Sequence, residues 1–227
     1  MATKPKEQST EVVSLQEQIA AQLALQQQAA QGMRTTGSYI GFKNAQLKVD
    51  GINIPANQID VRVLATVGER AYYAEAFDAD KIQIPACYAL NDTVPHPEAA
   101  DPQSDSCSSC PHNVFGSAKQ GRGKACREGA RVIVVPSNVP LASAQMYTAK
   151  VPVSSLAAVT GFASRCSQAG KLSGEFVTKL SVVEDKKSFF KVHLTLVEAT
   201  NDMDMALLMQ KQTEAFNLAM QPYPVLD

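Results

Sequence analysis

The 227-residue chain has no tryptophan, six tyrosines, eight phenylalanines and three histidines. With aromatics at 6%, stacking on bases is weakened as a binding mode without being excluded, and it must come from a few positions. An excess of charge is missing too. Lys and Arg number 21 against 22 Asp and Glu, a net charge of −1, which excludes a uniformly basic nucleic-acid coat and leaves local patches to decide. No run approaches the ~18 apolar residues that span a bilayer, and the stretch from Met1 to Gln18 offers no apolar leader. The sequence therefore predicts a cytoplasmic protein with no membrane partner. There is no HExxH, nucleophile motif or dinucleotide fingerprint, and no carboxylate pair that spacing identifies, so no enzyme is predicted. At 45% apolar residues a globular core is expected.

Residues 1–9 are polar and read as a disordered tail. Over 10–32, Ser14 and Glu17 stand at capping-box spacing, Leu15, Ile19 and Leu23 recur every four residues, and Gly32 is placed to stop a helix. Its narrow stripe suits packing on its own domain or self-association as a homo-oligomer. From Thr35 to Phe77 the period becomes two. Tyr39 to Phe42 leads into a hairpin around Asp50-Gly51, and two further strands are predicted on either side of a Gly68-Glu69-Arg70 turn. After an aperiodic stretch at 78–130, strands are predicted at Arg131–Val135 and Gln145–Val151. A helix capped by Ser154 or Ser155 and carrying Cys166 on its core face comes next. It is followed by a hairpin around Glu184 to Lys187 and a final helix capped by Asn201.

This order predicts an α+β protein, mainly antiparallel β: an OB-like barrel or bent sheet over 33–200, with N- and C-terminal flanking helices, the latter with its tail at 201–227. The 78–130 insertion is rich in Pro, Ser, Gly and Cys and needs a source of order besides apolar burial.

Four of the five cysteines supply a candidate. Cys87, Cys107, Cys110 and Cys126 are separated by 19, 2 and 15 residues, and a Cys-x-x-Cys turn lets two thiolates meet one tetrahedral ion while two distant cysteines complete the shell. Structural Zn2+ is the leading assignment, since four thiolates leave no place for a reactive water. An iron–sulfur cluster uses the same ligands, although the spacing matches neither common ferredoxin run. A Cys107–Cys110 redox pair is a third option, and His96 or His112 can substitute for one thiolate. Around this cluster the charge is polarised. Asp92, Glu98, Asp101 and Asp105 precede Cys107, whereas Lys119, Arg122, Lys124 and Arg127 follow Cys110. The glycine-containing run from Gly116 to Lys124 is no Walker loop, because Ala125 stands where Ser or Thr is required.

The wording of the insertion carries a resemblance. Cys107-Ser-Ser-Cys110-Pro111-His112-Asn113-Val114-Phe115-Gly116-Ser117, followed by Gly121-Arg122-Gly123-Lys124-Ala125-Cys126, resembles C-x-x-C-P-x-N-x-x-G-S then G-x-G-K-x-C in small tailed-bacteriophage proteins. Some of those proteins look like single-stranded DNA-binding proteins. The resemblance covers about residues 87–135. It implies a metal site on the four cysteines and a role in phage DNA replication, recombination or transcription in the cytoplasm of an infected bacterial host.

Single-stranded DNA needs cations for its phosphates and aromatic faces for its bases. Tyr39, Phe42 and Lys43, then Arg62, then Tyr72, Tyr73 and Phe77 are the strand-borne candidates, and Lys119, Arg122, Lys124 and Arg127 those of the insertion. The two-residue period turns Tyr72 and Tyr73 to opposite faces. The other class left open is a non-enzymatic structural or host-interaction protein with a structural zinc.

Overall fold

A computed structural model describes residues 38–75, 83–91, 93–119 and 121–223. The predicted tail at 1–9, the predicted helix at 10–32, its oligomer contact and Phe77 lie outside the described residues. From Ser38 the chain forms one compact unit. Its described residues form nine strands: β1 Tyr39–Gly41, β2 Lys48–Val49, β3 Ile52–Asn53, β4 Gln58–Tyr72, β5 Cys87–Leu90, β6 Cys126–Pro136, β7 Tyr147–Pro152, β8 Phe176–Asp185 and β9 Phe189–Ala199. Two helices are described, α1 Leu156–Gln168 and α2 Met205–Ala219.

The strands form one strongly curled sheet, a half-barrel in the order β3-β2-β1-β7-β6-β4-β8-β9, with β5 also on β4. All pairings are antiparallel except that of β1 with β7. Asp50 and Gly51 turn β2 into β3 with φ of 47° and 84°, the left-handed pair that a tight two-residue hairpin demands.

Both faces of the sheet are buried along much of β6. Val132 and Val134 point into a cluster with Leu47, Phe162, Leu180 and Leu194, where α1 inserts Val159, Phe162 and Cys166. Ile133 and Val135 point into a second cluster with Tyr88, Leu90, Leu208 and Ala215, covered by α2. Each such side chain contributes roughly 1.5–3 kcal/mol by leaving water.

Strand β4 serves both clusters because its register shifts between Val63 and Ala65. Val61 and Val63 face the first cluster, whereas Leu64, Ala65 and Val67 face the second. An extra residue in one strand switches its side chains to the other face.

Three sequence expectations are corrected. The expected turn at Gly68-Glu69-Arg70 is continuous strand: these residues pair with Ala130, Gly129 and Glu128, and Gly68 is not among the positive-φ glycines. The 78–130 segment is not free of regular structure. It contains β5, whose four residues are all buried and so show no alternation to read, and from Cys126 its last residues belong to β6. Finally, the C-terminal helix is capped by Asp204, whose Oδ1 accepts from Ala206 N and Leu207 N at 3.0 and 3.1 Å, rather than by Asn201. No helix among the described residues is long and apolar enough to cross a membrane.

Candidate nucleic-acid interface and cysteine cluster

The ends of β4, β5 and β6 bring the cysteines together. Cys87 opens β5 and Cys126 opens β6, and both stand opposite Tyr72 on the intervening β4. Cys107 and Cys110 come from the turn above. Asn113 Nδ2 donates to Cys107 O at 2.7 Å, Asn113 N to Cys110 O at 3.0 Å, and Cys107 N to Thr93 O at 2.7 Å. All four cysteines are buried, and no disulfide joins them. Together they line one small cavity of about 10 Å³, room for about one water-sized sphere.

Burial pushes the Cys126 thiol up to about 11, and the Cys107, Cys110 and Cys87 thiols add to the rise while Arg70 opposes it. Burial likewise raises Cys107, against Arg70 and with Cys87 and Cys110. Four sulfurs around one cavity are the kind of donor set that a closed thiolate site uses. As placed among the described residues, no three His, Cys, Asp or Glu groups are gathered at metal-holding spacing.

Neither histidine replaces a sulfur. His112 stacks on Tyr72 with centroids 4.1 Å apart and its Nε2 meets Gln103 Oε1 at 3.1 Å. His96 Nδ1 accepts from Glu98 N at 3.1 Å and from Tyr88 OH at 3.1 Å. Cys166 is buried on α1, as its helical face predicts.

On the opposite face of the same strand ends lies an open groove of about 530 Å³. Its floor is low because Ala71 on β4 and Gly129 on β6 carry almost no side chain; a Cβ at Gly129 would stand 2.9 Å from Val151 O. Its walls are Tyr73, Arg127, Lys150, Phe115 and Tyr223, with Glu69 at the inner end. Phe115 is 77% exposed. A second hollow of about 530 Å³ shares Tyr73, Lys124 and Arg127 with the groove and adds Tyr72, His112 and Lys119.

At the inner end a polar network, buried at Arg131 and Glu69 and exposed at Lys150, joins the sheet to the C-terminal segment. Arg131 Nε donates to Glu69 Oε1 at 2.7 Å, Tyr223 OH donates to the same oxygen at 2.7 Å, and Lys150 Nζ donates to Tyr223 OH at 3.0 Å. Burial lowers the Lys150 ammonium below its ordinary range, with Glu69 opposing and Arg131 adding. Tyr223 and Tyr73 are both raised, first by burial; Glu69 adds to each rise, whereas the Tyr223 hydroxyl opposes that of Tyr73.

Of the residues expected at a nucleic-acid surface, Tyr72, Tyr73, Lys119, Lys124 and Arg127 gather here. Lys124 is partly engaged, donating to Asn113 Oδ1 at 3.0 Å and Glu128 Oε1 at 2.9 Å, and Lys119 donates to Ala74 O at 2.7 Å. Arg122 is exposed on the neighbouring loop. The remaining candidates do not line this groove. Phe42 is buried in the first cluster, 6.4 Å from Phe190. Arg62 lies toward the far end of β4 and is consumed by Gly174 O, Glu175 O and Thr200 Oγ1. Tyr39 is exposed on β1, and the Lys43 side chain is outside the described set.

Sequence reasoning missed Phe115, Lys150, Tyr223 and Glu69. Phe115 stands immediately before the Gly116–Lys124 run and was legible as an aromatic near cations; the other three are joined only by the fold. Comparison with protein-family models, curated proteins and solved structures finds no match.

Proposed function

We propose that the protein binds single-stranded DNA, as part of phage DNA replication, recombination or transcription in the cytoplasm of an infected bacterium. The curled sheet serves as an OB-like platform, and capture is non-enzymatic. The observation that carries this reading is the groove beside the strand ends, where Tyr73 and Phe115 offer ring faces and Arg127 and Lys150 offer cations on one surface. Stacking on a ring is worth roughly 1–3 kcal/mol per base, and cations along the groove track the phosphates. The cysteine cavity on the opposite face holds a structural Zn2+ on Cys87, Cys107, Cys110 and Cys126. The ion fastens the insertion that carries Phe115 to the strand that carries Arg127.

Fluorescence anisotropy with a labelled single-stranded oligonucleotide tests the reading. Affinity falls as salt rises, with a log–log slope of about −0.7 per phosphate contacted, and Tyr73→Ala weakens binding about tenfold. Absence of binding at low salt overturns the proposal.

A second reading, a protein-interaction module, is favoured by a different surface. Met205, Met209 and Phe216 stand exposed along α2 at 41%, 62% and 44%. Large assemblies in light scattering together with indifference to DNA would select it.

A further inference from the structure

Phosphate capture does not explain a carboxylate, and of the two in the lining Glu128 is taken up by Lys124 Nζ at 2.9 Å and Arg70 Nε at 3.8 Å, which leaves Glu69 to be accounted for in the groove. Glu69 projects from β4 to its inner end, and its side chain is only 9% exposed. One carboxylate oxygen, Oε1, takes both of the donors that hold the group, Arg131 Nε and Tyr223 OH, each at 2.7 Å. Among the described residues nothing donates to the other oxygen, Oε2, and Oε2 is not among the fully enclosed unpaired atoms. The carboxylate is thus fixed by its neighbours while half of its accepting capacity remains open beside the groove. A negative charge there repels phosphate. It is suited instead to an N–H donor, and the only N–H donors of a single strand are on its bases.

Resting on the proposal that this groove holds single-stranded DNA, we infer that Glu69 Oε2 reads the bases, accepting a hydrogen bond from an exocyclic amino group and so favouring cytosine over thymine. The two pyrimidines present the same six-membered ring and differ on its face only by the thymine methyl group, which on the rings of Tyr73 and Phe115 favours thymine if either, so a preference for cytosine has to come from the base edge. Their edges differ. Cytosine offers an N4 amino group, the usual partner of a Glu or Asp that reads bases. Thymine offers one N–H between two carbonyl oxygens, and a carboxylate oxygen that approaches that N–H is repelled from both sides. Ala71 and Gly129 leave the floor low enough for an edge to reach Glu69. Arg127 and Lys150 stand at the walls, where the backbone of the same nucleotide carries its charge. The Arg131 guanidinium and the Tyr223 hydroxyl hold the carboxylate in place, so its acceptor is preorganised at no further cost in rotamer freedom.

The experiment compares oligo(dC), oligo(dT) and an oligo(dC) whose bases are N4,N4-dimethylated, at equal length and equal salt, by anisotropy with the intact protein. The expected result is about tenfold tighter binding of oligo(dC) than of oligo(dT), with the dimethylated strand falling to the oligo(dT) level. Changing the ligand keeps the protein unaltered, which matters because Glu69→Gln leaves Arg131 without its buried counter-charge. Where Glu69→Gln retains its fold by circular dichroism, its dC-to-dT ratio falls to about one. Equal affinities for oligo(dC) and oligo(dT), or no effect of dimethylation, overturn this inference while single-strand binding stands. Failure of every strand to bind at low salt overturns the proposed function and this inference together.

Discussion

Arg131 on β6 meets Glu69 on β4 at 2.7 Å, with both side chains more than nine-tenths buried. The same guanidinium donates to Ala219 O at 3.1 Å and Gln221 O at 2.6 Å, so one cation neutralises a carboxylate and satisfies carbonyls at the end of α2, where the helix dipole is negative. Removing one member strands the other in the interior. Arg131→Met therefore lowers stability by about 3–5 kcal/mol in urea denaturation. Adding Glu69→Gln costs less than the sum of the two single changes, because the second removes a charge already orphaned. Strict additivity in that cycle would show the pair to be uncoupled.

Thr178 on β8 gives a prediction of the opposite sign. It is fully buried, and its Oγ1 has no hydrogen-bond partner among the described residues. A hydroxyl desolvated without compensation is a liability, so Thr178→Val raises stability by about 1 kcal/mol. A loss in the denaturation midpoint would mean that the hydroxyl is satisfied in solution.

Local features were legible where the chemistry is local. Asp50-Gly51 announces its hairpin because few residues tolerate two left-handed dihedrals. The β8–β9 hairpin announces itself because Leu180, Val182, Val192 and Leu194 alternate with outward residues. The cysteines were legible from a two-residue spacing that only a turn explains. The groove was legible only in part: Glu69 is 62 residues from Arg131 and 154 from Tyr223, and no local pattern links them. Arg62 misled for the same reason, since a basic strand residue looks outward until its carbonyl partners, more than a hundred residues away, are known.

The outer edge of β9 is guarded by α1 and the turn before it. Ser155, which the sequence marks as a helix cap, makes no capping bond; its Oγ accepts from Val192 N at 2.9 Å, and Arg165 Nη2 donates to Leu194 O at 2.8 Å. An exposed edge with free backbone groups pairs with other chains. Ser155→Ala costs about 1–2 kcal/mol by orphaning a buried N–H. Combined with Arg165→Ala, it produces concentration-dependent association beyond that of the parent in sedimentation velocity. An unchanged sedimentation profile would count against the guarding role.

The β8–β9 turn predicts an acid limb. Asp185 Oδ2 accepts from Ser188 Oγ and Ser188 N at 2.8 Å each and from Lys187 N at 3.1 Å, and these bonds hold its carboxyl at about 2 against an ordinary 3.8. A depressed carboxylate contributes stability above its unfolded value and loses it as pH falls through the folded one. Between pH of about 4 and 2, Asp185→Asn therefore flattens the decline of stability relative to the parent, and a carboxyl titration by NMR places Asp185 near the bottom of that window. A midpoint at the ordinary value would remove the turn's contribution.

The cysteine site is tested by dividing the five cysteines. Purified protein should carry zinc at about one per chain, as four thiolates make one closed tetrahedral shell. Cys107→Ser and Cys126→Ser abolish it, whereas Cys166→Ala leaves it intact, because Cys166 packs with Val159 and Phe162 on α1 in the first cluster, away from the cavity. Chelation has a second consequence, since binding to a site absent from the unfolded chain is folding free energy. A chelator lowers the thermal midpoint of the parent and of Cys166→Ala, but leaves Cys107→Ser unmoved. The insertion loses its fastening to β5 and β6, so Phe115 no longer stands over the groove and single-strand affinity falls with the zinc. An iron chromophore, or full affinity without metal, would separate the cysteines from the groove and leave them a different task.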